Sequence, residues 1–127
     1  MAQRPTARGL FLCEQVIREE GTRNITLVNC FTRKRVRRDP PEPIRFVVHA
    51  FLVNGLGDMR LAVVALRLDN GDEVLRRERA VSFRNRLQEA QLTFRVPGFA
   101  FPARGHYEIV LLADEEPIAQ CRLVLVR

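Results

Sequence analysis

Strand-like alternation over residues 105–127, GHYEIVLLADEEPIAQCRLVLVR, constrains the fold of this chain more than any other feature. Two runs of aliphatic and β-branched residues flank an acidic turn that contains Pro117, and this is the pattern of a β-hairpin. Similar runs, separated by turn residues at intervals of about 8–12 residues, recur along almost the whole sequence. The sequence therefore predicts an all-β fold, a single antiparallel β-sandwich of about seven to eight strands that is immunoglobulin-like or C2-like.

The length of 127 residues predicts one domain. Residues 1–8 are polar and contain a proline, so we expect a flexible N-terminal tail. The sandwich domain is expected to follow over residues 9–127.

Three local signals predict details of this sandwich. Residues 24–36 read as one long strand, because apolar and polar residues alternate along them. Asn70 and Gly71 predict a type I′ hairpin turn, in which both central residues take positive φ. Tyr107 opens the strand that follows Gly105, and we expect its hydroxyl to bond back to the main chain as a corner tyrosine.

The chain is basic, with a net charge of +6 that comes from 20 arginines and one lysine against 15 acidic residues. Nucleic acids, acidic proteins and anionic surfaces are therefore candidate partners. Two clusters form the candidate anion or nucleic-acid surface: Arg33, Lys34, Arg35, Arg37 and Arg38, and then Arg76, Arg77 and Arg79, with Arg84 and Arg86 beyond them. Guanidinium forks bind phosphates well, which supports this hypothesis. The alternative is a solvated edge strand whose charges oppose aggregation.

The segment VPGFAFPARG places Phe99 and Phe101 between Pro97 and Pro102. Aromatic side chains exposed on such a loop would form an anchor for a protein partner. In the other interpretation, the two rings close one end of the core. The sequence leaves both interpretations open.

No set of reactive side chains is superimposed on the strand pattern. Cys13, Cys30 and Cys121 lack CxxC spacing, so we expect buried, reduced thiols in strands rather than disulfides or a zinc site. We expect His49 to be a structural histidine and His106 a surface residue. Because no nucleophile, base and orienting group can be assembled, we expect no catalytic residues, no metal, no cofactor and no enzymatic activity.

The sequence predicts neither a membrane segment nor a secretory leader. No apolar run approaches the roughly 20 residues that a membrane-spanning helix needs. The basic start MAQRPTARG is not followed by the apolar region of a signal peptide. We therefore expect a cytoplasmic protein that does not associate with membranes.

Motifs near both ends carry a family resemblance. CEQVI at residues 13–17 and TLVNCF at residues 26–31 resemble the opening of an uncharacterised family of small bacterial all-β proteins. GHY at residues 105–107 is similar to the ending of that family, so the resemblance spans residues 9–126. It implies the sandwich fold and a bacterial, cytoplasmic setting. The family is a domain of unknown function, and it supplies no catalytic residues.

These observations favour a non-enzymatic protein-interaction module, an adaptor or assembly subunit. Its partner would be another protein, bound through a sheet edge, through Phe99 and Phe101, or through the arginine clusters. An open edge strand would also allow homo-oligomers. The alternative function is nucleic-acid binding through residues 33–38 and 76–86, which would make the affinity strongly dependent on salt.

Overall fold

A computed structural model describes residues 2–127, and Met1, the first residue of the predicted tail, lies outside the described residues. The regular structure of the described residues consists of ten strands. They are β1 (Thr6–Cys13), β2 (Gln15–Arg18), β3 (Ile25–Val28), β4 (Arg33–Arg35), β5 (Ile44–Val53), β6 (Gly57–Arg67), β7 (Glu73–Phe83), β8 (Ala90–Phe99), β9 (Gly105–Ala113) and β10 (Glu116–Val126). The all-β prediction is confirmed.

The strands form three sheets. One sheet has three strands in the order β1-β5-β8, and a second has five in the order β4-β10-β9-β6-β7. The short strands β2 and β3 form a separate two-stranded ribbon. The prediction of a single sandwich of seven to eight strands is therefore corrected to ten strands in three sheets. The sequence pattern did not separate the ribbon strand β3 from β4, because apolar and polar residues alternate across both.

The two larger sheets share one hydrophobic core. Successive side chains of a strand point to opposite faces, so every second residue of β5 enters this core. Phe46, Val48, Ala50 and Leu52 are at most 1% exposed there. The facing residues of the five-stranded sheet include Leu61, Val63, Ile109, Leu111 and Leu123. The core therefore lies between β5 and the central strands of the larger sheet.

Residues 24–36 do not form the one long strand that their alternation predicts. β3 pairs with β2, whereas β4 pairs in parallel with β10. Asn29 lies between them with a φ of 52°, in the left-handed region that asparagine tolerates better than most residues. This residue breaks the extended chain and directs it from the ribbon to the edge of the larger sheet.

The N-terminus joins the fold earlier than predicted. β1 begins at Thr6, which pairs with Val53 at the end of β5. Further upstream, the main chains of Gln3 and Leu56 exchange two hydrogen bonds of 2.7 and 2.9 Å. Main-chain pairing therefore begins at Gln3, within the segment predicted to be a tail.

Candidate functional site: an arginine-lined groove

The first basic cluster lies at an edge of the five-stranded sheet. Arg33 and Arg35 are exposed on β4, and Lys34 between them is paired with the Glu14 carboxylate at 3.0 Å. The Lys34 ammonium also lies 4.6 Å from the centre of the Phe31 ring. The cluster thus has the character of a charged edge strand.

Beyond β4, the chain turns around a carboxylate. Glu42 accepts hydrogen bonds of 2.8 to 3.0 Å from the main-chain N–H groups of Arg37 and Arg38. These bonds lower the pKa of Glu42. The turn is therefore fixed through the main chain of the two arginines, and both of their side chains are left exposed.

The second basic cluster lies on β7, at the opposite edge of the same sheet. Four strand spacings separate β7 from β4, a distance of about 19 Å. Arg76 is held by three carboxylates, those of Glu73, Glu78 and Glu115, at 2.8 to 3.1 Å. The two clusters therefore do not form one surface, and the charge of Arg76 is already compensated.

Arg79 points away from this carboxylate cluster and reaches the smaller sheet. Its Nη2 donates a 2.9 Å hydrogen bond to the carbonyl of Thr93 on β8. Its guanidinium carbon also lies 5.0 Å from the centre of the Phe94 ring. Stacking on an aromatic face leaves the remaining guanidinium protons free for a ligand.

A groove of about 400 Å³ opens beside Arg79, and Arg18 from β2 and Arg95 from β8 line it together with Arg79. The other lining residues are Val16, Gln91 and Thr93, so no carboxylate contributes to the lining. Within residues 2–127, none of these three arginines forms an ion pair. We name this feature the arginine groove.

Two further hollows extend the arginine groove along β8. One shares Arg18 and Gln91 with it and ends at Glu89. The other shares Val16 and Arg95 with it and ends at Glu14 and Pro97. One wall is common to the groove and the two hollows. It consists of Glu89, which precedes β8, and of alternate residues of β8, namely Gln91, Thr93, Arg95 and Pro97.

Sequence analysis identified only Arg79 among the three arginines of the groove. Arg18 and Arg95 are isolated cations that lie far apart in the sequence, and only the ribbon brings them together. One sequence feature could have pointed to Arg95. It alternates with the buried residues Phe94 and Val96, which places its side chain on the outer face of β8.

His49 lies beneath the groove on β5 and is fully buried. Its Nδ1 lies 2.9 Å from the hydroxyl of Thr93, and its ring packs edge-on against Phe51 at 4.8 Å. Burial lowers the pKa of His49, the Gln91 amide acts in the opposite sense, and the charge of Arg18 lowers it further. His49 is therefore buried, as expected of a structural histidine, but only one of its two ring nitrogens has a polar partner. Its Nε2 has no hydrogen-bond partner among the described residues.

Of the two interpretations that the sequence leaves open for Phe99 and Phe101, the geometry favours the one in which the rings close the core. Phe99 belongs to β8 and is half-buried, and Phe101 is only 1% exposed. The Phe101 ring packs against Phe46, Phe99 and Tyr107 at centroid distances of 4.7 to 6.2 Å. Phe101 therefore closes one end of the core and is not accessible as a binding anchor.

The three cysteines are free and differ in exposure. Cys13 is buried and Cys121 is half-buried, but Cys30 is exposed and lies outside the strands, contrary to prediction. Burial raises the pKa of Cys13, and it raises the pKa of Cys121 to about 11. These two thiols are protonated at neutral pH and are weak nucleophiles.

Within residues 2–127, no group of three or more His, Cys, Asp or Glu side chains is arranged to hold a metal ion. No helix in the same range has the length and apolar character needed to cross a membrane.

A family model described as a family of unknown function, DUF6941, matches residues 8–126. The chain belongs to this family. Membership confirms the resemblance to an uncharacterised family, and it assigns no activity to any residue. No curated protein matches the chain.

Two solved structures are similar to this member of DUF6941. An immunoglobulin-like protein from Pseudomonas aeruginosa is 12% identical, with 97% of each chain covered and a TM-score of 0.45. A β-glucosidase from Listeria innocua, in complex with isofagomine, is 8% identical with a TM-score of 0.48. That match covers 97% of this chain and 16% of the glucosidase.

Proposed function

We propose that this protein is a non-enzymatic binding module whose arginine groove holds a short, extended and acidic segment of a partner protein. One observation carries the proposal: Arg18, Arg79 and Arg95 converge on a groove whose lining contains no carboxylate. Three cations at this density repel one another, and an anionic ligand would relieve that repulsion. The groove lining also contains no serine or cysteine that would act as a nucleophile.

The length of the wall suits an extended peptide. The wall runs from Glu89 to Pro97, which spans about 26 Å at the rise of a β-strand. A segment of about eight residues in strand conformation matches this length. Its alternate side chains would face the alternate side chains of the wall.

The distribution of charge favours an acidic peptide over a nucleic acid. Arg23 accompanies Glu89 at one end of the extended groove, and Arg45 accompanies Glu14 at the other, so the surplus of positive charge is greatest at the centre. A short acidic stretch within a neutral peptide matches this central surplus, whereas a chain of phosphates carries negative charge along its whole length. The central lining also lacks an aromatic face on which bases stack, since Val16 is its only apolar side chain.

An immunoglobulin-like sandwich is the finer description of the fold that we propose. The support is the shared core of the two larger sheets together with Tyr107, whose hydroxyl bonds to the main chain four residues upstream. A tyrosine with this bond at the start of a late strand is characteristic of immunoglobulin-like folds. In this arrangement the ribbon is an insertion between the first strand and the rest of the sandwich.

Fluorescence anisotropy with a labelled eight-residue peptide that carries Asp at two alternate central positions and Gly elsewhere tests the proposed function. The double variant Arg18→Gln/Arg95→Gln removes two groove cations and should weaken binding by about tenfold or more, because charge-assisted hydrogen bonds are lost. The double variant Arg33→Gln/Arg35→Gln removes the same charge from another exposed strand. It should change the affinity by less than about twofold, since only long-range attraction is lost.

Three results would overturn the proposal. Equal weakening by both double variants would mean that only the net charge matters. Equal binding of a peptide in which Asn replaces Asp would remove the role of the carboxylates. Tighter binding of an eight-nucleotide single-stranded DNA, lost in Arg33→Gln/Arg35→Gln, would establish the nucleic-acid alternative on β4.

A further inference from the structure

A second cavity, of about 500 Å³, shares no lining residue with the arginine groove. Its lining comes from the end of β6, the start of β9 and the middle of β10. Arg67, Arg104 and Arg122 contribute three guanidinium groups to it, and Leu68 contributes an apolar wall.

Two of the three guanidinium groups are already neutralised. Arg67 Nε lies 2.9 Å from the Asp69 carboxylate, and Arg122 Nε lies 3.3 Å from that of Glu108. Within residues 2–127, Arg104 forms no ion pair. The cavity and its immediate partners therefore carry a surplus of one positive charge, and it resides on Arg104.

Arg104 is held in place and has spare hydrogen-bonding capacity. Its Nη2 donates to the carbonyl of Arg38 at 3.3 Å, which anchors one arm of the guanidinium. Its Nε is buried and has no partner among the described residues. Within residues 2–127, Arg104 Nη1 forms no hydrogen bond, so its two donors are available to an acceptor bound in the cavity.

The apolar wall of the cavity is also fixed. The main-chain N–H of Leu68 donates to the carbonyl of His106 at 3.0 Å, which ties the β6–β7 turn to the start of β9. The Leu68 side chain is 43% exposed, although it is large and apolar. An apolar group in the cavity would cover part of this side chain.

We infer that this cavity binds a small organic acid with one carboxylate and an apolar body. The carboxylate accepts hydrogen bonds from Arg104, whose planar fork matches two oxygens, and the apolar body packs on Leu68. The surplus of one positive charge on Arg104 matches the single negative charge of a monoanion. A phosphate dianion would leave one negative charge uncompensated beside Asp69 and Glu108.

Isothermal titration with benzoate, benzyl alcohol and inorganic phosphate tests this assignment on the full chain. We expect benzoate to bind at least about tenfold more tightly than benzyl alcohol, which keeps the ring and lacks the charge. Phosphate should bind more weakly than benzoate. Arg104→Gln should abolish the preference for benzoate over benzyl alcohol, whereas the exposed control Arg84→Gln should keep it.

Arg104→Lys covers the case in which Arg104→Gln does not fold. It keeps the positive charge and loses the fork, so benzoate affinity should still fall by about threefold or more. Unchanged benzoate affinity in both Arg104 variants would overturn the assignment, as would equal affinity for phosphate or benzyl alcohol. Peptide binding in the arginine groove should be unaffected by these variants, so the two proposals fail separately.

Discussion

The Tyr107 hydroxyl donates a 2.7 Å hydrogen bond to the carbonyl of Ala103 and accepts a 3.3 Å bond from the N–H of the same residue. Tyr107 is fully buried, and its ring packs against Phe101 at 4.7 Å. The pair therefore fixes the connection between β8 and β9 from inside the core. This geometry confirms the corner tyrosine that the sequence predicted.

We expect Tyr107→Phe to destabilise the protein by about 1–3 kcal/mol, because it leaves both polar groups of Ala103 without their partner. The ring and its packing are retained, so the change reports the hydroxyl alone. Urea unfolding followed by circular dichroism measures the difference. Removal of the exposed side chain in Gln120→Ala is the control and should have little effect. An unfolding free energy of Tyr107→Phe equal to that of the wild type would contradict the prediction.

Burial distinguishes Phe101 from another large apolar residue, Leu87. Phe101 is 1% exposed, whereas Leu87 is 92% exposed on the β7–β8 turn. Phe101→Ala should cost about 3–5 kcal/mol, because it opens a cavity beside Phe46 and Tyr107. Leu87→Ala should stay within about 0.5 kcal/mol of the wild type. Thermal and urea unfolding compare the two, and a similar loss in both variants would show that Phe101 does not close the core.

Gly55 lies under the ring of Phe83. A Cβ atom at Gly55 would approach three ring carbons of Phe83 to 2.8–2.9 Å, and Phe83 is a core residue that is 2% exposed. We expect Gly55→Ala to cost about 1–3 kcal/mol, since the ring has to move within a packed core.

Gly98 provides the matched control, because a Cβ atom there would meet nothing within 4 Å. Gly98→Ala should be neutral or stabilising by up to about 1 kcal/mol, because alanine restricts the unfolded chain. Unfolding of both variants in urea checks the pair. A smaller loss in Gly55→Ala than in Gly98→Ala would refute the close approach to Phe83.

Local sequence patterns predicted part of the fold, although alternation failed over residues 24–36, where Asn29 interrupts the strand. The final hairpin and the corner role of Tyr107 are local patterns, and both are found in the structure. The type I′ turn at Asn70 and Gly71 is wrong, because only Gly71 takes positive φ, at 77°. A hydrogen bond of 2.7 Å from its N–H to the Arg67 carbonyl closes a different turn.

The arginine groove could not be predicted from patterns within one segment of the sequence, because it depends on which strands are neighbours in the fold. Arg76 and Arg79 are three positions apart on β7, yet carboxylates hold the first and the second reaches β8. The density of charge along the sequence does not distinguish these two arginines. The arrangement of the strands also decides which cations keep a free guanidinium. It places Arg18 and Arg95 beside Arg79 in the arginine groove.

The Cys121 thiol makes stability depend on pH in the alkaline range. Burial raises its pKa from 9.0 to about 11, and the Glu108 carboxylate acts in the same sense. Between these values the folded protein keeps a proton that the unfolded chain has lost, so stability is greatest below pH 9.0 and falls as the pH rises toward about 11.

Cys121→Ala should reduce the slope of this fall without abolishing it, because burial also raises the pKa of Cys13. Ser82→Ala, at an exposed side chain that does not ionise, should keep the full slope. Urea unfolding at several alkaline pH values measures the slopes, and equal slopes in the two variants would mean that Cys121 ionises alike in the folded and unfolded protein.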